Sequence, residues 1–136
     1  MDVKEVKCKT IMSKSGLHDS DFSINPYRGC EHNCFYCYAP FVLREKRPWG
    51  TFLEVKTNAA DVLSKEILKN KSGNILISSV TDSYQPLEAK YKITRSILEK
   101  LNKNFFVSIM TKSTLVLRDI ELFRKLNCAF FDVIST

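Results

Sequence analysis

The feature that most constrains this chain is an alternation of short apolar runs with segments of helical periodicity. The apolar runs, each rich in β-branched or aromatic residues, are Asp21–Asn25, Asn74–Val80, Phe105–Met110 and Cys128–Ser135. Over the last three of these runs, strand, loop, helix and next strand recur at spacings of roughly 25–30 residues, which is typical of right-handed βαβ crossovers. We therefore predict an α/β fold with a parallel sheet, of the open or the barrel type.

The segments between these strands predict three helices. The first begins after Asn58, which is expected to cap it, and ends at Gly73. The second covers about Lys90–Lys103, and apolar residues on one face of Leu117–Leu126 give the third. Thr51–Lys56 is expected to be a short extended piece. Polar residues follow each strand, and function in parallel α/β folds gathers at the carboxyl ends of the strands.

Length and composition indicate one globular domain. The 136 residues are 44% apolar and 26% charged, which allows a single core. We expect residues 1–20 to be an N-terminal extension and 21–136 to form the βα units. No run approaches the roughly 18 apolar residues of a membrane span, and the charged N-terminus lacks a secretory pattern, so a cytoplasmic location is expected. The net charge of +6 is spread along the chain and is compatible with a nucleic-acid partner without requiring one.

Three of the five cysteines lie within eight residues, at the spacing C-x3-C-x2-C. Cys30, Cys34 and Cys37 could ligate an iron–sulfur cluster and leave one iron open to an outside ligand. A structural zinc site is the alternative, but its sites usually contain paired C-x2-C motifs and only one is present. Its fourth ligand would come from the remaining histidines and cysteines, namely His18, His32, Cys8 or Cys128. We expect Cys8 and Cys128 to be ordinary residues.

The cysteine segment NPYRGCEHNCFYCYAP resembles the signature of the radical S-adenosylmethionine (SAM) superfamily. Together with SSVTDSYQPLE and MTKSTLVLRD, it is similar to the SplB-like branch related to spore photoproduct lyase. The resemblance implies a 4Fe-4S cluster on the three cysteines and SAM chelated at the open iron. It further implies reductive cleavage of SAM to a 5′-deoxyadenosyl radical, which abstracts a hydrogen atom from a substrate. Tyr36 occupies the aromatic position that the family places beside the adenine.

The same resemblance implies the SAM contacts. Thr81, Asp82 and Ser83 replace the glycine-rich motif that holds the SAM ammonium in other members, and Lys112 with Ser113 would meet its carboxylate or ribose. From local chemistry alone, Asp82 could equally be a turn residue that bonds its own backbone, and Lys112 a solvated lysine. The roles of two further charged residues in these segments are not assigned by the resemblance. Glu88 is expected to be solvated, and Arg28 could neutralise the cluster or cap the loop.

The resemblance also implies a core of six βα units, of which about four strands are present. We therefore expect a partial TIM-type barrel, truncated after about four strands. A flavodoxin- or ferredoxin-like electron donor is implied as partner, and a DNA lesion, a tRNA base, a peptide or a small metabolite is compatible as substrate. No cysteine matches the hydrogen donor of the lyase. A cluster-binding or zinc-binding fragment without turnover is the alternative function.

Overall fold

The computed structural model describes residues 1–14, 21–31 and 39–132, and for residues 129–132 the backbone alone. The strands are β1 (Asp2–Val6), β2 (Ser13–Lys14), β3 (Phe22–Ile24), β4 (Tyr27–Arg28), β5 (Phe52–Lys56), β6 (Gly73–Ile77), β7 (Phe105–Thr111) and β8 (Asn127–Asp132). The helices are α1 (Ala39–Leu43), α2 (Ala59–Glu66), α3 (Glu88–Tyr91), α4 (Ile93–Lys100) and α5 (Ile120–Arg124), and a 3₁₀ helix covers Thr114–Asp119.

The main sheet has the order β2-β3-β6-β7-β8. Its strands β3, β6, β7 and β8 are parallel, and β2 adds an antiparallel edge. Ile75, Leu76 and Ile77 of β6 are all buried, as expected for a central parallel strand. The predicted α/β class with a parallel sheet is confirmed. That this sheet is part of a TIM-type barrel truncated after about four strands remains a proposal.

Helices cover one face of the main sheet. In β7, Phe105, Val107 and Ile109 are fully buried, whereas Phe106 on the opposite face is 46% exposed. Ile97 and Leu98 of α4 belong to the same core, and α2 packs against α4. Because parallel strands end together, the segments that follow β6 and β7 meet at one edge of this sheet.

A second sheet, with the order β1-β5-β4, was not predicted. Strand β1 lies within the expected N-terminal extension and pairs in parallel with β5, from Asp2 opposite Phe52 to Val6 opposite Lys56. β4 pairs with β5 in antiparallel fashion, directly before the first cysteine. The expected extended piece at Thr51–Lys56 is thus the central strand of this sheet.

Three features of the helices differ from the sequence prediction. α2 ends at Glu66, and Gly73 is the first residue of β6 rather than the end of the helix. Asn58 precedes α2, but its side chain accepts from the backbone N of Cys8 at 2.8 Å and donates to the Cys8 carbonyl at 3.0 Å instead of capping the helix. The second predicted helix is divided into two helices, α3 and α4, because Lys92 between them adopts a left-handed conformation (φ 54°).

None of the helices in the described ranges is long and apolar enough to cross a bilayer.

Candidate functional site

Gly29 sets the direction of the chain into the cysteine segment. Its φ is +98°, and a Cβ atom at this position would lie 2.5 Å from the carbonyl oxygen of Phe52. Glycine alone tolerates both conditions, since it has no side chain to clash and populates the left-handed region freely. Cys30 follows with only 6% exposure. The turn therefore brings the first predicted cluster ligand against the protein body.

A set of hydrogen bonds joins this turn to the segment after β6. The hydroxyl of Thr81 donates to the Gly29 carbonyl at 2.6 Å, and the backbone N of Glu31 donates to Gln85 Oε1 at 2.9 Å. In return, Glu31 Oε1 accepts from the backbone N of Leu87 at 2.6 Å. We call Thr81, Gln85 and Glu31 the loop clamp. The loop clamp fixes the backbone on both sides of Cys30, at Gly29 and at Glu31.

Gln85 is the centre of the loop clamp. It is fully buried, and its Nε2 donates to Thr81 Oγ1 at 3.1 Å and to the Asp82 carbonyl at 2.9 Å. All its hydrogen-bonding atoms thus have partners within the site, which is the usual condition for a buried amide. The sequence resemblance drew attention to this block without assigning Gln85 a role.

Asp82 connects the carboxyl ends of β6 and β7. Its Oδ1 accepts from the backbone N of Tyr84 at 2.9 Å and from Thr111 Oγ1 at 2.7 Å, and its Oδ2 accepts from the backbone N of Lys112 at 3.2 Å. The bond to Tyr84, two residues on, is the turn interaction that local chemistry had offered as an alternative. Asp82 and the backbone of Lys112 are thus neighbours at the edge where β6 and β7 end. Their contacts with SAM remain predictions.

The two serines of the predicted site have partners in the chain. Ser83 is fully buried, and its hydroxyl is hydrogen-bonded to that of Ser78, which has a left-handed φ of 79°. Ser113 Oγ accepts from the backbone N of Leu115 at 3.2 Å and so caps the 3₁₀ helix. Both serines shape the loops at this edge, and their proposed contacts with SAM are untested.

Beneath these loops lies a buried charge network that the sequence did not predict. Glu88 and Asp119 have fully buried side chains, and Arg118 joins them, with its Nη2 2.7 Å from Glu88 Oε2 and 2.8 Å from Asp119 Oδ2. Arg95 Nη1 lies 2.6 Å from Asp119 Oδ1. The expectation that Glu88 is solvated was therefore wrong. Its countercharge comes from a residue 30 positions away, which local sequence cannot reveal.

Two tyrosines complete this network. Tyr27 donates to Glu88 Oε1 at 2.5 Å and Tyr84 donates to Asp119 Oδ2 at 2.9 Å. Burial, followed by the nearby carboxylate, raises the pKa of both phenols, so both stay protonated donors. For Asp119, burial raises the pKa, but hydrogen bonds from Arg118, Tyr84 and Arg95 together outweigh it and lower the pKa. The carboxylates of this network are thus fully paired, and the network supports the segment after β6 that contains Thr81 and Gln85.

Arg28 lies on the other side of the cysteine segment. Its Nε donates to Glu45 Oε1 at 3.0 Å, and its Nη2 to the Leu43 carbonyl at 3.4 Å. These bonds bring together the chain before and after the three cysteines. The structure thus supports the interpretation that Arg28 caps the loop.

The remaining predicted site residues and the candidate fourth zinc ligands fall in two groups. Cys34, Tyr36, Cys37, His18 and His32 lie outside the described residues. Cys8 and Cys128 are half-buried, and Cys8 Sγ is 3.3 Å from Asn58 Oδ1. Burial raises the pKa of Cys128 to about 11, so this thiol stays protonated at neutral pH.

Comparison with known proteins places the chain in a family. The sequence profile described as "Radical SAM superfamily" matches residues 24–135, which include the cysteine segment and the parallel strands β6, β7 and β8 of the main sheet. The chain belongs to the radical SAM superfamily. Among curated relatives, this radical SAM chain is 38% identical over 127 residues to an uncharacterized protein of Methanocaldococcus jannaschii. It is 32% identical over 136 residues to an uncharacterized protein of Mycobacterium tuberculosis.

Solved structures agree on the fold. Two structures of one spore photoproduct lyase variant, the second with a dinucleoside spore photoproduct, superpose with TM-scores of 0.74 and 0.75, and each match covers 97% of the radical SAM chain. Sequence identity is 14% and 16%, so the likeness is one of fold. The chain spans about half the length of the M. jannaschii relative (48%) and 38% of the mycobacterial one, and 39% of spore photoproduct lyase.

The donor chemistry at the site fits an iron–sulfur cluster as far as the described residues extend. Within them, no group of three metal-ligating side chains is close enough to hold an ion, because two of the three predicted thiolates lie outside. Cys30, which lies inside, is a buried thiol in a turn that only glycine can form, with backbone and side-chain bonds on both sides. A fixed, largely desolvated thiolate suits a cluster ligand.

Proposed function

We propose that this radical SAM chain holds a 4Fe-4S cluster through Cys30, Cys34 and Cys37 and binds SAM beside it. When bound, the cluster would supply the electron for reductive cleavage of SAM to methionine and a 5′-deoxyadenosyl radical, which abstracts hydrogen from a substrate. The observation that carries the proposal is the loop clamp. It secures the first cysteine of a family-typical motif against the edge where β6 and β7 end.

Residues at this edge have the charges that SAM requires. The cofactor presents an ammonium and a carboxylate, and Asp82 and Lys112 supply opposite charges within one hydrogen-bonded unit. We propose that the segment 81–83 receives the ammonium and that Lys112 and Ser113 receive the carboxylate or ribose. Tyr36 is proposed to lie beside the adenine. Thr111 supports the arrangement by holding the Asp82 carboxylate in one orientation.

The electron donor and the substrate are proposed as chemical classes. A reduced flavodoxin- or ferredoxin-like protein would supply the electron, and a cytoplasmic location would suit such a donor. One relative in fold has been solved with a dinucleoside spore photoproduct. A lyase acting on nucleic acid is therefore one candidate for the whole protein, alongside tRNA, peptide and metabolite substrates.

Anaerobic reconstitution tests the proposal. We expect about four irons per chain, with cluster absorption that is lost on replacing any of the three cysteines by serine. Cys8→Ser is the matched control and should retain full iron content. Under dithionite, the reconstituted chain should convert SAM to 5′-deoxyadenosine, measured by liquid chromatography.

The other outcomes separate the alternatives. A cluster that forms without SAM cleavage would favour a binding fragment over an enzyme. Stoichiometric zinc without iron in protein purified anaerobically would support a structural zinc site, and iron retained in all three cysteine variants would refute the ligand set.

A further inference from the structure

The helix that follows the cysteine segment carries two adjacent exposed apolar side chains. Phe41 is 83% exposed and Val42 is 60% exposed, and Phe41 is the most exposed of the large hydrophobic side chains in the described residues. Phe41 lies four positions after Cys37, the last predicted cluster ligand. Single exposed apolar residues are ordinary, but a neighbouring pair beside a cofactor segment indicates a contact surface.

Exposed cations adjoin this pair. Arg44, Lys46 and Arg47 follow α1 and are all exposed. The one acidic residue among them, Glu45, has a side chain that is only 8% exposed and is paired with Arg28 and Arg47. The charge of Glu45 is therefore compensated by these two arginines, whereas Arg44 and Lys46 present their charges to solvent. We call Phe41, Val42, Arg44 and Lys46 the α1 patch.

The backbone under the α1 patch is held in place. Arg44 has a left-handed φ of 54° and donates its backbone N to the Phe41 carbonyl at 3.2 Å. The guanidinium of Arg47 lies 3.8 Å from the centroid of the Phe52 ring and 3.6 Å from Glu54 Oε2. A surface fixed before binding loses little conformational entropy when a partner docks.

We infer that the α1 patch is the docking surface of a small acidic electron-transfer protein. This inference rests on the proposed function, because only a chain that carries a reducible cluster needs such a partner. An exposed apolar pair followed in the chain by exposed cations fits the small, charge-steered interfaces of electron-transfer complexes. A nucleic-acid phosphate backbone would use the cations but would leave Val42 without a contact, so the observations favour a protein.

Cluster reduction by a protein donor tests the inference. Prereduced flavodoxin is mixed with the reconstituted chain, and the bleaching of the cluster is followed by stopped flow. Phe41→Ser/Lys46→Glu should slow this reaction by about tenfold or more at low salt, since steering charge and apolar contact are both lost. Leu68→Ser/Lys69→Glu, an equivalent change at exposed residues beyond α2, should leave it unchanged.

Dithionite separates this inference from the proposed function. Both double variants should be reduced by dithionite as fast as the wild type, because a small reductant needs no docking surface. If flavodoxin also reduces the Phe41 variant at the wild-type rate, the α1 patch is not the docking surface. Loss of DNA oligonucleotide binding with an unchanged flavodoxin rate would instead make it a nucleic-acid surface and overturn the inference. A wild-type chain that assembles no cluster would fail the proposed function itself.

Discussion

Replacing Arg118 by methionine should destabilise the chain strongly, because it removes the cation between two fully buried carboxylates. Arg118 makes hydrogen bonds of 2.7 Å to Glu88 and of 2.8 and 2.9 Å to Asp119, and its own side chain is only 22% exposed. Breaking a buried ion pair from one side costs about 3–5 kcal/mol. Tyr27 and Arg95 still serve the carboxylates, so we expect a loss near the lower end, about 3 kcal/mol.

Urea unfolding followed by circular dichroism measures this loss as a shift in midpoint at constant slope. Arg124→Met is the matched control, because Arg124 is 72% exposed and pairs with the exposed Glu121 at 3.1 Å. An exposed pair of this kind contributes less than about 1 kcal/mol. Adding Glu88→Gln to Arg118→Met should recover part of the stability by removing the orphaned charge. A loss below about 1 kcal/mol for Arg118→Met would refute the claim that the network holds the fold together.

Three further predictions concern the site. Gln85→Leu should lower iron retention after gel filtration while the secondary structure measured by circular dichroism persists, because Glu31 loses its acceptor in the loop clamp. The pKa of Asp119 in the folded chain is lower than its ordinary value of 3.8, so the ionised carboxylate stabilises the fold. This stabilisation is complete when the pH is above the ordinary pKa, and it is lost as the pH falls through the folded-state pKa. Urea midpoints should therefore fall in acid, and less so in Asp119→Asn. Asp82→Asn and Lys112→Met should each weaken SAM binding about ten- to a hundredfold in isothermal titration, at unchanged iron content.

The sequence predicted the main sheet because its strands carry strong local signals. β6 and β7 are continuous or alternating apolar runs bounded by polar loops, and the observed bounds differ from the expected ones by a few residues. β1 carries no such signal, since four of its five residues are exposed. It is a strand because β5, about 50 residues further along, offers a parallel partner. Pairing at that separation cannot be read from local periodicity.

The site divides in the same way. The sequence indicated the segments 25–40, 78–88 and 110–119, and the structure brings the described parts of all three together. The sequence alone could not assign roles within these segments. Glutamate and arginine are usually exposed, so the burial of Glu88 and Arg118 becomes evident only when their distant partners are known. Lys92 shows the same limit for the backbone. Its left-handed conformation interrupts a helical pattern that contains neither glycine nor proline at that point.

The buried charge network has a consequence for how the molecule opens. Its members come from β4, the loop after β6, α3, α4 and the 3₁₀ helix, so none of these segments can detach without breaking a hydrogen bond or ion pair to a buried carboxylate. Segments tied in this way behave as one cooperative unit in native-state hydrogen exchange. The amide of Thr94, which donates to Glu88 at 2.9 Å, should therefore exchange only through global unfolding. The outer strand β1, with its exposed residues, is free to exchange earlier by local opening.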